Sequence, residues 1–576
     1  MLVACFLYAL LAVCRAAAYR TLRTDYGSLR GVEYVTQLGV RVELYKRIPY
    51  ALPPVGGRRF RKPIPIETWN GTIDATTFGP SCAQRTPRHP SPSSGTSEDC
   101  LHLNIYTTAE CRRSLCPVVF YVHGGLVAFD TAVGFSDETL SRNFPSRAIV
   151  LVTVEYRLNA FGALYVGDEN VMPANLALHD IVSGLRCARS LLHSFGGDKD
   201  QLTIMGHSAG ATICMVLALS PVISPPGEPR LFSSVALLST GVDTVEVPAK
   251  GLTRSRLLAT TVGCAGSAGE MVDCLRGKTT EELLAAVGSI AGQEGGALGE
   301  QNVRDLTAAG ELLPGTNLAE LIQAAPPLRL LMGTTVMELD FDGENDEEEG
   351  RNEALYLLGV ANGEECYDKY ATDRRSGKFA PHRTDESQGI YLLSYLLSKA
   401  VARAGGEVYL YEYGYPKHQM HTDDLSLIMG IHTFKKDVNE DWLSRVYPIY
   451  FTNFANGSQP APDWKVLDDR LMNYYSINKS YADDVYPQMT ADYHKYIADY
   501  YLKEMIPYDA LISQWKRNKT VNIEYHSIAF GIPTTSVLST SLIVLLMLSV
   551  IYSIALVTKF STRMEERLPL LKTSTV

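Results

Sequence analysis

The 576-residue sequence has no excess of basic charge: 53 Lys and Arg stand against 63 Asp and Glu, a formal net charge of −10. That withholds the cationic surface on which nucleic-acid binding depends. No internal repeat is visible, which excludes solenoids and repeat arrays, and between the two terminal apolar runs no linker is long enough to separate two domains. Length alone does not divide the chain, because large α/β enzymes reach this size on one sheet with insertions. A hydrophobic content of 46% with 20% charged residues is that of a globular protein and not of a disordered one.

The long uncharged runs that define the topology stand near the two ends. Residues 2–13 are apolar but too few to span a bilayer, and Arg15 and Ala16-Ala17-Ala18 follow them, so 1–18 reads as a secretory signal peptide. Residues 537–558 are uncharged, and at 1.5 Å per residue such a helix covers the ~30 Å hydrocarbon core. Lys559, Arg563, Arg567 and Lys572 follow this segment, while only Lys519 lies just before it. The positive-inside rule therefore expects a type I protein, with an ectodomain at 19–527 and a cytoplasmic tail at 559–576. The charged tail argues against a glycolipid anchor.

Sequons at Asn70, Asn456, Asn478 and Asn518 fall on the expected lumenal side, in agreement with that topology. Of eleven cysteines, Cys5 and Cys14 leave with the leader. Cys82–Cys100 and Cys264–Cys274 are close pairs in Gly/Pro/Ser-rich loops and read as disulfides, with Cys111–Cys116 a candidate third. Cys187 and Cys214 lie on apolar helical stretches, where a buried thiol is the plain reading. Cys366 has no assignment.

From Pro117 onward, β-rich runs at 118–122, 149–155, 202–205, 328–332 and 407–413 alternate with helical stretches at 177–194 and 211–218. That alternation implies a mostly parallel sheet covered on both faces. Gly206-His207-Ser208-Ala209-Gly210 sits between a strand and a helix. It is the context of a nucleophile elbow, in which a tight turn lifts the serine hydroxyl clear of the sheet.

Serine at its own pKa is a weak nucleophile and needs a base, itself oriented by an acid. In open α/β sheets such partners gather beyond the carboxyl ends of strands. Glu338 follows the strand 328–332 in Gly333-Thr334-Thr335-Val336-Met337-Glu338; its plain reading is a surface residue opening the acidic run 340–349, itself expected to be a solvated loop and not a metal site. His421 follows the strand 407–413 in His421-Thr422-Asp423-Asp424-Leu425, with His418 and His432 as nearby rivals. The order Ser, Glu, His is that of α/β-hydrolases. His123-Gly124-Gly125 directly follows the strand 118–122, where glycines bring backbone N–H groups close to a reacting oxygen; Ala209 N–H would add another donor.

These residues resemble the type-B carboxylesterase and cholinesterase-like family of α/β-hydrolases, over roughly 22–520. The likeness is carried by Ile48-Pro49-Tyr50-Ala51-Leu52-Pro53-Pro54 with Arg59-Phe60, and by Glu98-Asp99-Cys100-Leu101-His102-Leu103-Asn104. Tyr156-Arg157-Leu158 with Phe161-Gly162, Phe195-Gly196-Gly197-Asp198 and Phe454-Ala455-Asn456-Gly457 add to it. The resemblance implies Ser208 as nucleophile, Glu338 as acid and His421 as base. It implies Gly125, Leu126 and Ala209 N–H groups as the oxyanion hole, and it supports Cys82–Cys100 and Cys264–Cys274 as family disulfides. Three departures stand out. Leu126 replaces the third glycine of the usual H-G-G-G, His207 replaces the usual glutamate before the serine, and the 82–100 loop lacks the tryptophan on which cholinesterases stack choline.

The expected architecture is an α/β-hydrolase, a large mostly parallel sheet flanked by helices, with one C-terminal transmembrane helix. The expected activity is membrane-anchored hydrolysis of a small-molecule carboxylic ester through an acyl-enzyme, with transfer to an alcohol or amine as a near variant and no cofactor or metal. The alternative of another class is a neuroligin-like adhesion or signalling ectodomain without catalysis, since that branch is also type I and the chain ends Ser574-Thr575-Val576, compatible with a PDZ ligand. Glu566-Arg567-Leu568-Pro569-Leu570-Leu571 resembles an acidic dileucine signal read by a sorting adaptor, which leaves the plasma membrane and an endolysosomal organelle both open.

Overall fold

A computed structural model of the chain describes residues 18–85, 95–223, 230–242, 245–293, 305–313, 315, 318–340, 352–380 and 383–517. Residues 1–17 of the leader expected at 1–18, the apolar segment 537–558, the tail, Asn518 and the acidic run from 341 onward lie outside the described residues. No helix among the described residues is long and apolar enough to cross a membrane. The chain divides into two units, 1–359 with 369–501, and 360–368 with 502–576.

The first unit is organised by a 13-stranded sheet. Its central strands are β1 (His102–Thr107), β2 (Cys116–Val122), β3 (Val150–Val154), β4 (Gly197–His207), β5 (Ser234–Leu238), β6 (Arg329–Thr335), β7 (Glu407–Tyr413) and β8 (Tyr474–Ile477). They lie in the order β1-β3-β2-β4-β5-β6-β7-β8. From β3 to β8 every neighbouring pair is parallel, and only β1 runs against β3. Every residue of β2, β3 and β5 is buried, the uninterrupted apolar pattern that a parallel sheet covered on both faces requires. Three antiparallel strands, Arg41–Pro49, Gly27–Val35 and Ala18–Thr24, extend the β1 edge, and Gln488–Thr490 closes the β8 edge.

Sequence alternation locates β2, β3, β4, β6 and β7 to within a few residues and misses β5 and β8. Both are short, and a four- or five-residue apolar run carries no periodicity that separates strand from helix. The helical stretches become α1 (Leu176–Phe195) and α2 (Ala209–Leu219). All eleven residues of α2 are buried, so it carries no polar face for a periodicity argument to find.

One face of the sheet near β7 is aromatic. Tyr409, Tyr411 and Tyr413 recur at the two-residue period of a strand and so share a face. They meet Tyr447, Tyr450, Phe451 and Phe454 of α3 (Val438–Ala455) in one buried cluster with Trp464 and Tyr475. The ring of Phe451 lies edge-on to Tyr411 and Tyr447, with centroids 5.9 and 5.1 Å apart, a geometry that adds roughly 0.5–1.5 kcal/mol per pair beyond burial. This packing fixes the strand from which the His421 loop departs.

Disulfides join Cys82 to Cys100, Cys111 to Cys116 and Cys264 to Cys274. Cys274 is not in a loop: it lies on the helix Ala268–Arg276, which a Ser267–Glu270 capping box begins. Cys187 and Cys214 are buried and carry no disulfide. In the second unit, the Asp509 carboxylate accepts from the backbone N–H of Ala361 and Asn362, Cys366 Sγ lies 3.8 Å from the same group, and Lys516 pairs with Glu365 at 2.6 Å.

The loop after β3 is pinned to α1 by a buried ion pair. Arg157 Nε and Nη2 each donate to the Asp180 carboxylate at 2.7 Å, and both side chains are almost fully buried. Arg157→Leu leaves that carboxylate buried and unpaired. A loss of about 3–5 kcal/mol of stability is expected, read as a lowered urea midpoint with an unchanged denaturant slope.

Candidate active site

Ser208 stands between β4 and α2 with φ 55° and ψ −130°, a conformation that L-residues avoid and that marks a functional turn. Its flanking glycines are sterically required. A Cβ on Gly206 would lie 2.3 Å from Gly210 O, and one on Gly210 would lie 2.3 Å from Val122 O. The Ser208 N–H donates to Leu238 O at 2.9 Å, tying the elbow to the end of β5.

The loop after β2 packs directly on this turn, since a Cβ on Gly124 would lie 2.7 Å from His207 O and 3.0 Å from Ser208 Cβ. Gly125, Leu126 and Val127 follow with φ of 86°, 56° and 56°. Three left-handed residues in succession are costly, about 1–2 kcal/mol for each that is not glycine, so the surroundings must hold them. Ala128 and Phe129 N–H both donate to Gly125 O, and Asn159 N–H donates to Val127 O at 2.6 Å. Tyr156 Oη–H donates to His123 O at 2.8 Å. The N–H groups of Gly125, Leu126 and Ala209 have no acceptor among the described residues.

Glu338 is fully buried just beyond β6. Its Oε1 accepts from Ser239 Oγ–H and from Thr335 N–H, each at 2.7 Å. Its Oε2 lies 2.5 Å from His421 Nδ1, and its backbone O accepts from His421 N–H at 2.7 Å. A carboxylate taking these bonds can only accept, so Nδ1 carries the imidazole proton and Nε2 is left as the basic nitrogen. The rival His418 is occupied otherwise: its Nδ1 engages Glu440 and its ring stacks on Phe434 at 3.7 Å.

The structure therefore gathers Ser208, the 124–127 loop, Glu338 and His421 at neighbouring strand ends. The ring of His207, the residue before the serine, lies 4.7 Å from the His421 ring. His207 is buried with no partner for Nε2, and burial, with His421 and His432 adding to it, holds its pKa well below the usual imidazole range. It is a neutral ring where the related pattern has a carboxylate. Sequence reasoning missed Ser239 and Asp424. No signal marks Ser239, which follows a strand too short to recognise. Asp424 lies within the quoted His421-Thr422-Asp423-Asp424-Leu425 segment but has no obvious role there.

Asp424 is buried, with Oδ2 accepting from Tyr447 Oη–H at 2.9 Å and Oδ1 unpartnered. Burial pushes its pKa from 3.8 to about 7, against the opposing hydrogen bond from Tyr447. Among the described residues no group of three His, Cys, Asp or Glu is arranged to hold a metal ion. Of the sequons, Asn70 and Asn456 are exposed and Asn478 is partly buried.

A family model described as the carboxylesterase family matches residues 18–495. The chain is 28% identical to a human protein named cocaine esterase over 504 residues, covering 80% of this chain and 88% of that protein. It is 36% identical to a Bombus ignitus protein named carboxylic ester hydrolase over 274 residues, covering 46% of this chain and about half, 48%, of that protein. To a Tribolium castaneum protein named juvenile hormone esterase it is 35% identical over 257 residues, 44% and 43% of the two chains.

Asp424 gives this region a pH signature. Between its unfolded value near 3.8 and its folded value of about 7, the folded chain keeps a proton that the unfolded chain has released, so stability falls as pH rises. The slope is at most about 1.4 kcal/mol per pH unit. In Asp424→Asn that contribution is absent. The stability of wild type relative to the variant should fall from pH 4 to pH 7 and level off above, as measured by urea unfolding across that range; a difference that does not vary with pH would contradict the assignment.

Proposed function

We propose that this chain, which belongs to the carboxylesterase family, is a membrane-anchored serine hydrolase of carboxylic esters, and that Ser208, His421 and Glu338 carry the reaction. The carrying observation is the buried Glu338 carboxylate on His421 Nδ1, beside a strand-to-helix turn that presents Ser208. Oγ attacks the acyl carbonyl while Nε2 of His421 takes its proton, and Glu338 stabilises the imidazolium. Gly125, Leu126 and Ala209 N–H groups, lacking acceptors among the described residues, receive the oxyanion. His421 then returns the proton to the leaving alkoxide. Water activated by the same base resolves the acyl-enzyme; an alcohol or amine in its place would make the product of acyl transfer.

The family relatives are carboxylic ester hydrolases by name, which supports the reaction class and leaves the acyl and alcohol groups of this chain's substrate open. The absence of tryptophan from the 82–100 loop removes the cation–π platform for a quaternary ammonium, so a neutral ester is favoured over choline. The anchor is proposed at 537–558 and the leader at 1–18, with the ectodomain lumenal or extracellular and glycans on its sequons. The dileucine-like tail is proposed as the contact for a sorting adaptor.

The test is turnover of p-nitrophenyl butyrate by the purified full chain. Ser208→Ala should lower kcat by at least about 10³-fold; equal rates for the two proteins would leave the adhesion reading in its place. Leu126→Gly should change kcat by less than about tenfold, or ~1.4 kcal/mol, because Leu126 already holds the left-handed conformation that glycine would adopt. A larger rise would show that the leucine N–H is misaimed.

A further inference from the structure

A cleft of about 290 Å³ opens along α1, bounded by the loop at 62–66 and by residues near 222 and 311. His179, Val182, Ser183, Arg186 and Ser190 line it, and their three- and four-residue spacing places them on one face of the helix. None of the residues of the Ser208 site lines it.

Its polar wall is built and under-used. Ser183 is nine-tenths buried, and its Oγ has no hydrogen-bond partner. Leaving a buried hydroxyl unmatched costs about 1–3 kcal/mol, so a group supplied from outside would recover that cost. Arg186 is exposed, and its guanidinium makes no ion pair or side-chain hydrogen bond among the described residues. Lys62 is paired with Glu311, so among the described lining residues the cleft carries one surplus positive charge, that of Arg186. His179 is neutral at physiological pH, since burial and then neighbouring Lys62 push its pKa to about 4, and its ring can donate or accept one hydrogen bond.

The opposite wall is apolar, formed by Pro65, Ile66, Val222 and Ile223 with Val182 on the helix. A single surplus positive charge suits a monoanion better than a phosphate dianion. A guanidinium fork matches a carboxylate in two parallel hydrogen bonds, and the apolar wall calls for a hydrocarbon chain. The volume lies just below the ~300–1,000 Å³ typical of small-molecule sites, which limits the ligand to a short one.

We propose that this cleft binds a short-chain organic monocarboxylate, with its carboxylate on Arg186 and Ser183 and its hydrocarbon chain against Ile66 and Val182. Such acids are the class of product that ester cleavage releases. A role as a product sensor therefore rests on the function proposed above, whereas the binding itself does not.

The test is isothermal titration of the purified full chain with octanoate, and with octanol and inorganic phosphate as probes that each lack one half of the ligand. Octanoate should bind at least about tenfold more tightly than either. Arg186→Gln should weaken octanoate by about tenfold or more, Arg186→Lys by less, and Ser183→Ala to an intermediate degree. Both Arg186 variants should keep the wild-type melting temperature, and p-nitrophenyl butyrate turnover without octanoate should be unchanged, because Arg186 is exposed and touches no residue of the Ser208 site. Equal octanoate affinity in wild type and Arg186→Gln would overturn the proposal, as would phosphate binding as tightly as octanoate. An inactive but octanoate-binding chain would instead count against the esterase reading alone.

Discussion

The buried carboxylate of Glu338 is the constraint around which the site is arranged. Out of water, an unpaired carboxylate costs several kcal/mol, so the fold must bring donors to it. It does so from three directions. Ser239 lies just past β5, Thr335 ends β6, and His421 lies on the loop after β7. One carboxylate thus ties together the ends of three adjacent parallel strands. The fourth, β4, is linked in turn, because Ser208 N–H donates to Leu238 O at the end of β5 and Ser239 N–H donates to Gly333 O in β6. The positions of hydroxyl, imidazole and carboxylate are set by the register of the sheet, not by the loops taken one at a time.

Close backbone approach is the second requirement, and glycine meets it only in part. Gly124 allows the loop after β2 to lie on Ser208, and Gly206 and Gly210 allow the elbow to close. At 126 the chain places leucine in a conformation suited to glycine, with φ 56°. The conformation persists because carbonyls of the same loop are held from outside it: Tyr156 and Asn159 follow β3, and they donate to His123 O and Val127 O. Glu155 adds to this support by accepting from Thr131 Oγ–H and Ala132 N–H, and from Cys82 N–H. Strain at a donor position is thereby balanced by hydrogen bonds that begin on a neighbouring strand.

How much of this could be read from the sequence follows the length scale of each signal. Ser208, Glu338 and His421 were legible because each follows an apolar run long enough to recognise and because their order along the chain is informative. The motif glycines were legible because steric need is local. Ser239 was not, since β5 is five residues long and the carboxylate that Ser239 meets, Glu338, is 99 residues away in sequence. The antiparallel strands before β1 went unread because long-range pairing, not periodicity, makes them strands. Cys274 was paired correctly but placed in a loop, because the capping box that starts its helix lies within a stretch rich in glycine and serine.

The electrostatic setting of His421 follows from burial at position 207. A glutamate there, fully buried at ring-contact distance from His421, would need donors of its own, and a negative charge without them costs more than the fold recovers. A neutral histidine with one unpartnered nitrogen costs about 1–3 kcal/mol and adds no charge. On the proposed mechanism the imidazolium formed at His421 is then stabilised by Glu338 and, as pH rises through the range near 7, by ionising Asp424. A neutral ring on the serine side and a carboxyl that ionises near neutral pH on the loop side thus set the charges around His421.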